Sequence, residues 1–177
     1  MKKNHIILIG MPASGKSTVG VLIAKALGYS FVDSDLIIQA RAGNKLQEII
    51  DTQGIPGFLA LEEEVNLTLG NDDAPTVIAT GGSAIYSEAA MEHFRAVGTV
   101  VYLELPYRTM AYRLGDFSKR GVIMPEGYTL RRLYDERCAL CEHYAHITVH
   151  EGRKDRVGDI AKAVVAHFQT ETPAQQN

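Results

Sequence analysis

Short apolar runs alternate along this chain with segments of helical period. His5–Ile9 (HIILI) predicts a buried strand, followed by a Gly-containing loop and a helix over about Lys16–Leu27. Ser30–Val32 predicts a second short strand, and Leu36–Arg41 opens a helical region. Two helices are expected between Leu46 and Leu69, broken at Gly54-Ile55-Pro56-Gly57. Thr76–Ala79 reads as a third strand ending at Gly81-Gly82, and Thr99–Leu105 as a fourth, after which Pro106 starts a helix to about Leu114. Gly115–Gly127 carries Gly, Lys and Arg without a clear helical stripe and reads as a mobile loop. Leu130–Tyr144 is expected as a helix, Ile147–Val149 as a last short strand and Val157–Phe168 as a final helix. Strands alternating with helices predict a mainly parallel sheet covered on both faces. Ligands of such sheets bind beyond the carboxyl ends of the strands, so the polar residues after each strand matter most.

Composition narrows the class. The 177 residues are 46% hydrophobic and 22% charged, ordinary globular values that exclude extended disorder and fibrous repeats. One domain over residues 1–170 is expected, with 171–177 as a polar tail. A net charge of −3 supplies no basic field for nucleic acid or an anionic membrane. Apolar runs such as Ile6–Ile9 fall far short of the ~20 residues that a membrane span needs. The start of the chain is too short in apolar residues for a signal peptide, and two cysteines make no disulfide framework. A soluble, cytoplasmic protein is expected, as a monomer.

One segment carries chemistry outright. Gly10-Met11-Pro12-Ala13-Ser14-Gly15-Lys16-Ser17 matches G-x-x-x-x-G-K-[ST], with Thr18 next, and lies between a strand and a helix. Glycines let the backbone curl so that several N–H groups face one anion, and the helix N-terminus adds positive potential. Ala13, Ser14, Gly15, Lys16, Ser17 and Thr18 are therefore the expected ATP-binding residues. Lys16 would reach the β- and γ-phosphates, facing bound phosphate rather than the core, and the Ser17 hydroxyl would ligate Mg²⁺.

With this loop in place, the chain resembles the shikimate kinases, small relatives of the nucleoside monophosphate kinases, from about Ile6 to Phe168. Phe31-Val32-Asp33-Ser34-Asp35 resembles the family's D-x-D segment, and Thr80-Gly81-Gly82 the start of its T-G-G-G turn. Arg41-Ala42-Gly43, Gly54 and Phe58 recur at the spacing of its substrate-binding helices. Arg113 and Arg120 fall where the family has arginines at the adenine site and in the lid, and Arg137 matches the arginine of its R-x-P-L-Y segment. The resemblance implies a P-loop kinase three-layer α/β sandwich: a five-stranded parallel sheet, helices on both faces and a mobile lid at about 115–127. It implies transfer of phosphate from ATP to a substrate hydroxyl with Mg²⁺. Asp33 would organise the metal region alongside Ser17. Asp35 would orient the attacking hydroxyl, Arg120 would close with the lid over the transferred group, Arg137 would hold a substrate carboxylate, and the Gly82 backbone would contact the substrate. Lys16, Asp35 and Arg120 are the implied catalytic set.

The sequence departs from that pattern on the acceptor side. Leu59 stands where the family has a carboxylate-binding arginine after the aromatic residue, Ser83 replaces the turn's third glycine, Gly121 a proline after the lid arginine, and Cys141 a tyrosine. With Leu59 in place, Glu62 loses an i, i+3 partner, unless Arg41 substitutes for the missing charge. A pocket with Asp35, a freed Glu62 and one arginine suits an acceptor with both ammonium and carboxylate. Homoserine is thus narrowly favoured over shikimate, with Leu59 and Glu62 among the substrate-binding residues, gluconate a further candidate, and a non-catalytic nucleotide-binding module the reading from another class. Cys138 and Cys141 with His143 and His146 do not converge on one side of a helix, so buried cysteines are expected there rather than a metal site.

Overall fold

The computed structural model describes residues 5–115, 122–152 and 155–169. Five parallel strands, β1 (His5–Ile9), β2 (Ser30–Asp33), β3 (Thr76–Ala79), β4 (Gly98–Glu104) and β5 (Ile147–His150), form one sheet in the order β2-β3-β1-β4-β5. β1 is central: Ile7 lies opposite Ile78 of β3 on one side and Val100 of β4 on the other. All five of its residues are buried, as a strand covered on both faces requires. Ile6 and Leu8 face a core closed by Val19 and Ile23 of α1 (Lys16–Leu27) and by Ile160 and Val164 of α7 (Val157–Gln169). Ile7 and Ile9 face the opposite core, with Met91, Phe94 and Cys141.

Helices α2 (Ser34–Ala42), α5 (Tyr107–Leu114) and α6 (Leu130–Tyr144) fall where the apolar periodicity and their flanking residues placed them. α3 (Leu46–Asn66) is continuous in outline but kinked at Gly54, whose φ of 72° and ψ of 172° are not helical. The two expected helices are thus two arms joined at that glycine. One helix was missed, α4 (Glu88–Val97). Its local signals were present: Ser87 caps it, accepting a 3.0 Å hydrogen bond from the Ala90 amide, and Met91 and Phe94 lie on its buried face. A 3₁₀ turn, Ala84–Tyr86, precedes it. Among the described residues no helix is long and apolar enough to cross a membrane.

α2 and α3 stand beside the sheet with their own small core of Ile38, Ile49, Phe58 and Val65, to which Ile123 is added. Ile123 belongs to the stretch expected as a mobile loop. This apolar anchor ties the chain after residue 121 to the α2–α3 unit.

Candidate active site

The carboxyl ends of β1, β2 and β3 deliver three loops to one cleft of about 270 Å³. The loop after β1 begins at Gly10, where φ is 149° and a Cβ would stand 2.7 Å from the Leu103 carbonyl oxygen, so only glycine fits. Ala13 adopts φ 64°, the left-handed region, at a cost of about 1–2 kcal/mol that the surrounding loop must offset. α1 then starts with no side-chain cap and no acidic residue in its first turn. By contrast, α2, α4 and α6 are capped by the side chains of Asp33, Ser87 and Thr129. The first-turn amides of α1 thus keep their partial positive charge for an anion. Ala13, Gly15, Lys16, Ser17 and Thr18 all line the cleft. Ser14 is buried behind it with its hydroxyl unpartnered.

Lys16 is more enclosed than the sequence implied. It is buried, and its Nζ donates to the carbonyl oxygens of Gly10 and Met11, each at 2.9 Å. Burial lowers its pKa, opposed chiefly by Asp35. The ammonium therefore already sits inside the loop that would wrap a phosphate.

The other half of the cleft is the start of α2, the turn after β3 and the middle of α6. Asp33 caps α2, its carboxylate accepting from the Asp35 amide at 3.0 Å. Asp35 lines the cleft, and burial, reinforced by Asp33 and opposed by Lys16, raises its pKa to about 6. The Gly81 amide donates to Ser34 Oγ at 3.0 Å. A Cβ on Gly81 would lie 2.3 Å from Glu62 Oε1 and 2.8 Å from Asp35 Oδ1, so two carboxylates press on the backbone there. Gly82 faces Pro12 and Nη1 of Arg137.

Arg137 is 1% exposed. Its Nη2 donates to the Ile123 carbonyl at 2.7 Å and its Nε to the Tyr86 hydroxyl at 3.2 Å, while Tyr86 donates onward to Glu136 at 2.8 Å. Such a buried guanidinium is expensive unless its donors are used. Nη1, turned toward Gly82 and the cleft, is the donor left facing the acceptor side.

Several sequence expectations need correction. Glu62 is neither free nor solvated: it is 2% exposed, and Ser83 Oγ donates to its Oε2 at 2.6 Å. Burial raises its pKa to about 7 despite that hydrogen bond. Two of the departures thus compensate each other, since Ser83 supplies a partner to the carboxylate beside Leu59. Leu59 and Glu62 line a neighbouring cleft rather than the one holding Lys16, and Ser83 lies in the wall shared by both. Arg41 does not replace the missing charge, because it pairs with Glu64 on the exposed flank of α2 and α3. Arg113 stands apart from the cleft lining in a two-pronged ion pair with the buried carboxylate of Glu151. Asp33 likewise stays out of the lining. Arg120 and Gly121 lie outside the described residues, as do the rest of 116–121 in the expected lid and the whole of the tail. Cys141 is buried and Cys138 accepts from the Tyr102 hydroxyl at 3.2 Å.

The sequence reading did not single out Ser34, Ile123 or Glu151. Each acts through a contact with a residue distant in the chain, and no local pattern marks them. Thr80 was noted only as part of a turn, yet its hydroxyl donates to the Leu8 carbonyl at 3.0 Å and fixes that turn against β1.

Comparison with known proteins agrees with this geometry. Residues 12–170 match the family model for shikimate kinase. The shikimate kinase of Thiobacillus denitrificans is 35% identical over 159 residues, covering 89% of this chain and 86% of that protein. A solved structure of shikimate kinase from Acinetobacter baumannii in complex with shikimate superposes with a TM-score of 0.86 at 30% identity, covering 96% of this chain and 94% of that one. The shikimate kinase of Aquifex aeolicus gives 0.81 at 29% identity, covering 93% and 96% respectively.

Proposed function

Because this chain belongs to the shikimate kinase family and is a kinase, we propose that it phosphorylates a hydroxyl of shikimate with ATP. The observation that carries the reading is Arg137, a buried guanidinium in the wall of the cleft that Asp35 also lines, with Nη1 against Gly82, where an acceptor carboxylate would find a donor. Neither the described residues of this cleft nor the relatives above favour homoserine. The carboxylate invoked for its ammonium group, Glu62, is engaged by Ser83 and lines the neighbouring cleft.

In this reading the α1 amides and Lys16 hold the β- and γ-phosphates, Lys16 exchanging its loop carbonyls for phosphate oxygens. Asp35, ionised above pH 6 or so, accepts the hydrogen bond of the attacking hydroxyl and orients it toward the γ-phosphorus. Gly82 offers backbone without a side chain, leaving room for the acceptor beside Arg137. The segment at 115–127 with Arg120 closes over the nucleotide, and Arg113, steadied by Glu151, borders the adenine. The residues fit Mg²⁺ bound in the manner of nucleotide kinases. Among the described residues no cluster of three or more His, Cys, Asp or Glu side chains could hold a metal, so Ser17, Asp33 through water, and the phosphates would share it. Bound there, the ion would neutralise charge on the phosphoryl oxygens. The proposal includes a single domain over 1–170, monomeric and cytoplasmic.

The test is ADP release with shikimate, homoserine and gluconate side by side. Shikimate-dependent turnover exceeding the other two by at least tenfold is expected. Preferential turnover of homoserine or gluconate would overturn the acceptor assignment, and turnover of none of them would favour a nucleotide-binding module.

A further inference from the structure

Glu136 and Arg137 are consecutive residues of α6, and both grip the same two neighbours. One neighbour is Tyr86, at the end of the 3₁₀ turn beyond Gly81-Gly82; the other is the stretch 122–128 that leads into α6. The Glu136 carboxylate accepts from the Tyr86 hydroxyl through Oε1 at 2.8 Å and from the Tyr128 hydroxyl through Oε2 at 3.0 Å. Tyr128 is steadied in turn by Arg132, whose Cζ lies 4.1 Å from the centroid of its ring. Glu136 is therefore fixed at both oxygens, by rings from two different parts of the chain.

The direction of these bonds matters. A tyrosine hydroxyl has one proton to give. Tyr86 gives it to Glu136, which leaves the oxygen lone pairs for a donor, and Nε of Arg137 takes that place at 3.2 Å. Nη2 of Arg137 is pinned by the Ile123 carbonyl at 2.7 Å. A guanidinium is planar, so fixing two of its nitrogens fixes the third, and Nη1 is left against Gly82 in the wall of the main cleft. Charge points the same way. Arg137 is buried, and among the described residues no carboxylate forms an ion pair with it; Glu136 reaches it through one hydroxyl. We propose that Glu136 is a positioning residue for phosphoryl transfer: acting through Tyr86, it sets the plane of Arg137 and so the aim of Nη1 at the acceptor. The inference rests on the reading of Arg137 as the group that holds the acceptor carboxylate.

The test combines steady-state kinetics, on whichever of the three acceptors the wild type turns over best, with NMR of the Arg137 Nε–H group, assigned by its loss in Arg137→Lys. Glu136→Leu is expected to raise the acceptor KM about tenfold, with the KM for ATP within twofold and kcat within about threefold of wild type. Glu136→Gln, which keeps one accepting oxygen, should recover most of that loss. Tyr86→Phe should match Glu136→Leu, and the double variant should be no worse than either, because both cut the same chain of bonds. In Glu136→Leu and Tyr86→Phe the Arg137 Nε proton should exchange with solvent several-fold faster than in wild type. Should Glu136→Leu not fold, Glu136→Gln and Tyr86→Phe decide. An unchanged acceptor KM in the folded variants, an equal rise in the KM for ATP, additive losses in the double variant or an unchanged Nε–H exchange rate each overturn the positioning role. Failure of the acceptor reading shows in the wild type alone, as absent shikimate turnover, and the exchange measurement still decides whether Glu136 holds Arg137.

Discussion

The two halves of the main cleft are built on different principles. The nucleotide half is main chain: an uncapped helix, a loop whose curvature depends on Gly10 and Ala13, and one lysine bonded to that loop's own carbonyls. The acceptor half is side chain: Asp35, Ser83 and Arg137 line it, and Glu62 and Tyr86, just outside the lining, are hydrogen-bonded to Ser83 and Arg137. Main-chain sites tolerate drift in most surrounding residues, because the backbone amides remain. Side-chain sites change by coupled substitution. The pairing of Ser83 with Glu62 beside Leu59 is such a coupling.

That contrast can be broken most forcefully at its two charged poles. Asp35→Asn should lower kcat by about 10²–10⁴-fold, and Lys16→Ala by on the order of 10²–10³-fold, both with the circular dichroism spectrum retained. Near-native turnover in the lysine variant would refute the phosphate-loop role. Next comes Gly81→Ala, whose methyl would collide with Glu62 Oε1 and Asp35 Oδ1. Displacing Asp35 should cost roughly 100-fold in kcat/KM for the acceptor while the affinity for an ATP analogue stays within about twofold. Parallel losses of both would show that the halves are not separable.

Smaller effects sharpen the division. Ser83→Ala removes a hydrogen-bond donor to Glu62 and should raise the acceptor KM by about tenfold, leaving the KM for ATP unchanged. Titration adds a signature. Asp35 and Glu62 have pKa values raised from 3.8 and 4.5 to about 6 and about 7, so between these limits the folded chain holds protons that the unfolded chain has released. Stability of the ligand-free protein from this source should therefore fall as pH rises from about 4 to 7, then level off. Melting temperatures across that range should show the slope, reduced in Glu62→Gln. A slope of the opposite sign in the difference between wild type and variant would contradict the burial of Glu62.

How much was legible in the sequence follows the same division. The five strands, six of the helices and the phosphate loop were visible because each is a local pattern: apolar runs, helical stripes, glycines at fixed spacing. α4 went unread because Met91 and Phe94, behind the Ser87 cap, make an apolar stripe of less than two turns. The acceptor side was read in part. Asp35, Gly82 and Arg137 do meet in the cleft. Glu62 was misjudged because its partner, Ser83, lies 21 residues on, and Arg41 because its ion pair with Glu64 spans 23. The first contact is set by the packing of α3 against the turn after β3 and the second by the packing of α2 against α3, neither of which a sequence window contains.

The central place of β1 has a consequence during synthesis. The strand made first needs neighbours made much later: Ile7 pairs with Ile78 and Val100. At about 5–20 residues per second, the ribosome takes on the order of five to twenty seconds to supply both. For that interval HIILI is an apolar, β-prone segment with no sheet to join, the kind of stretch that seeds aggregation or recruits a chaperone. It is only five residues long, and the Lys2-Lys3 pair just ahead of it is the kind of charged flank that opposes such association.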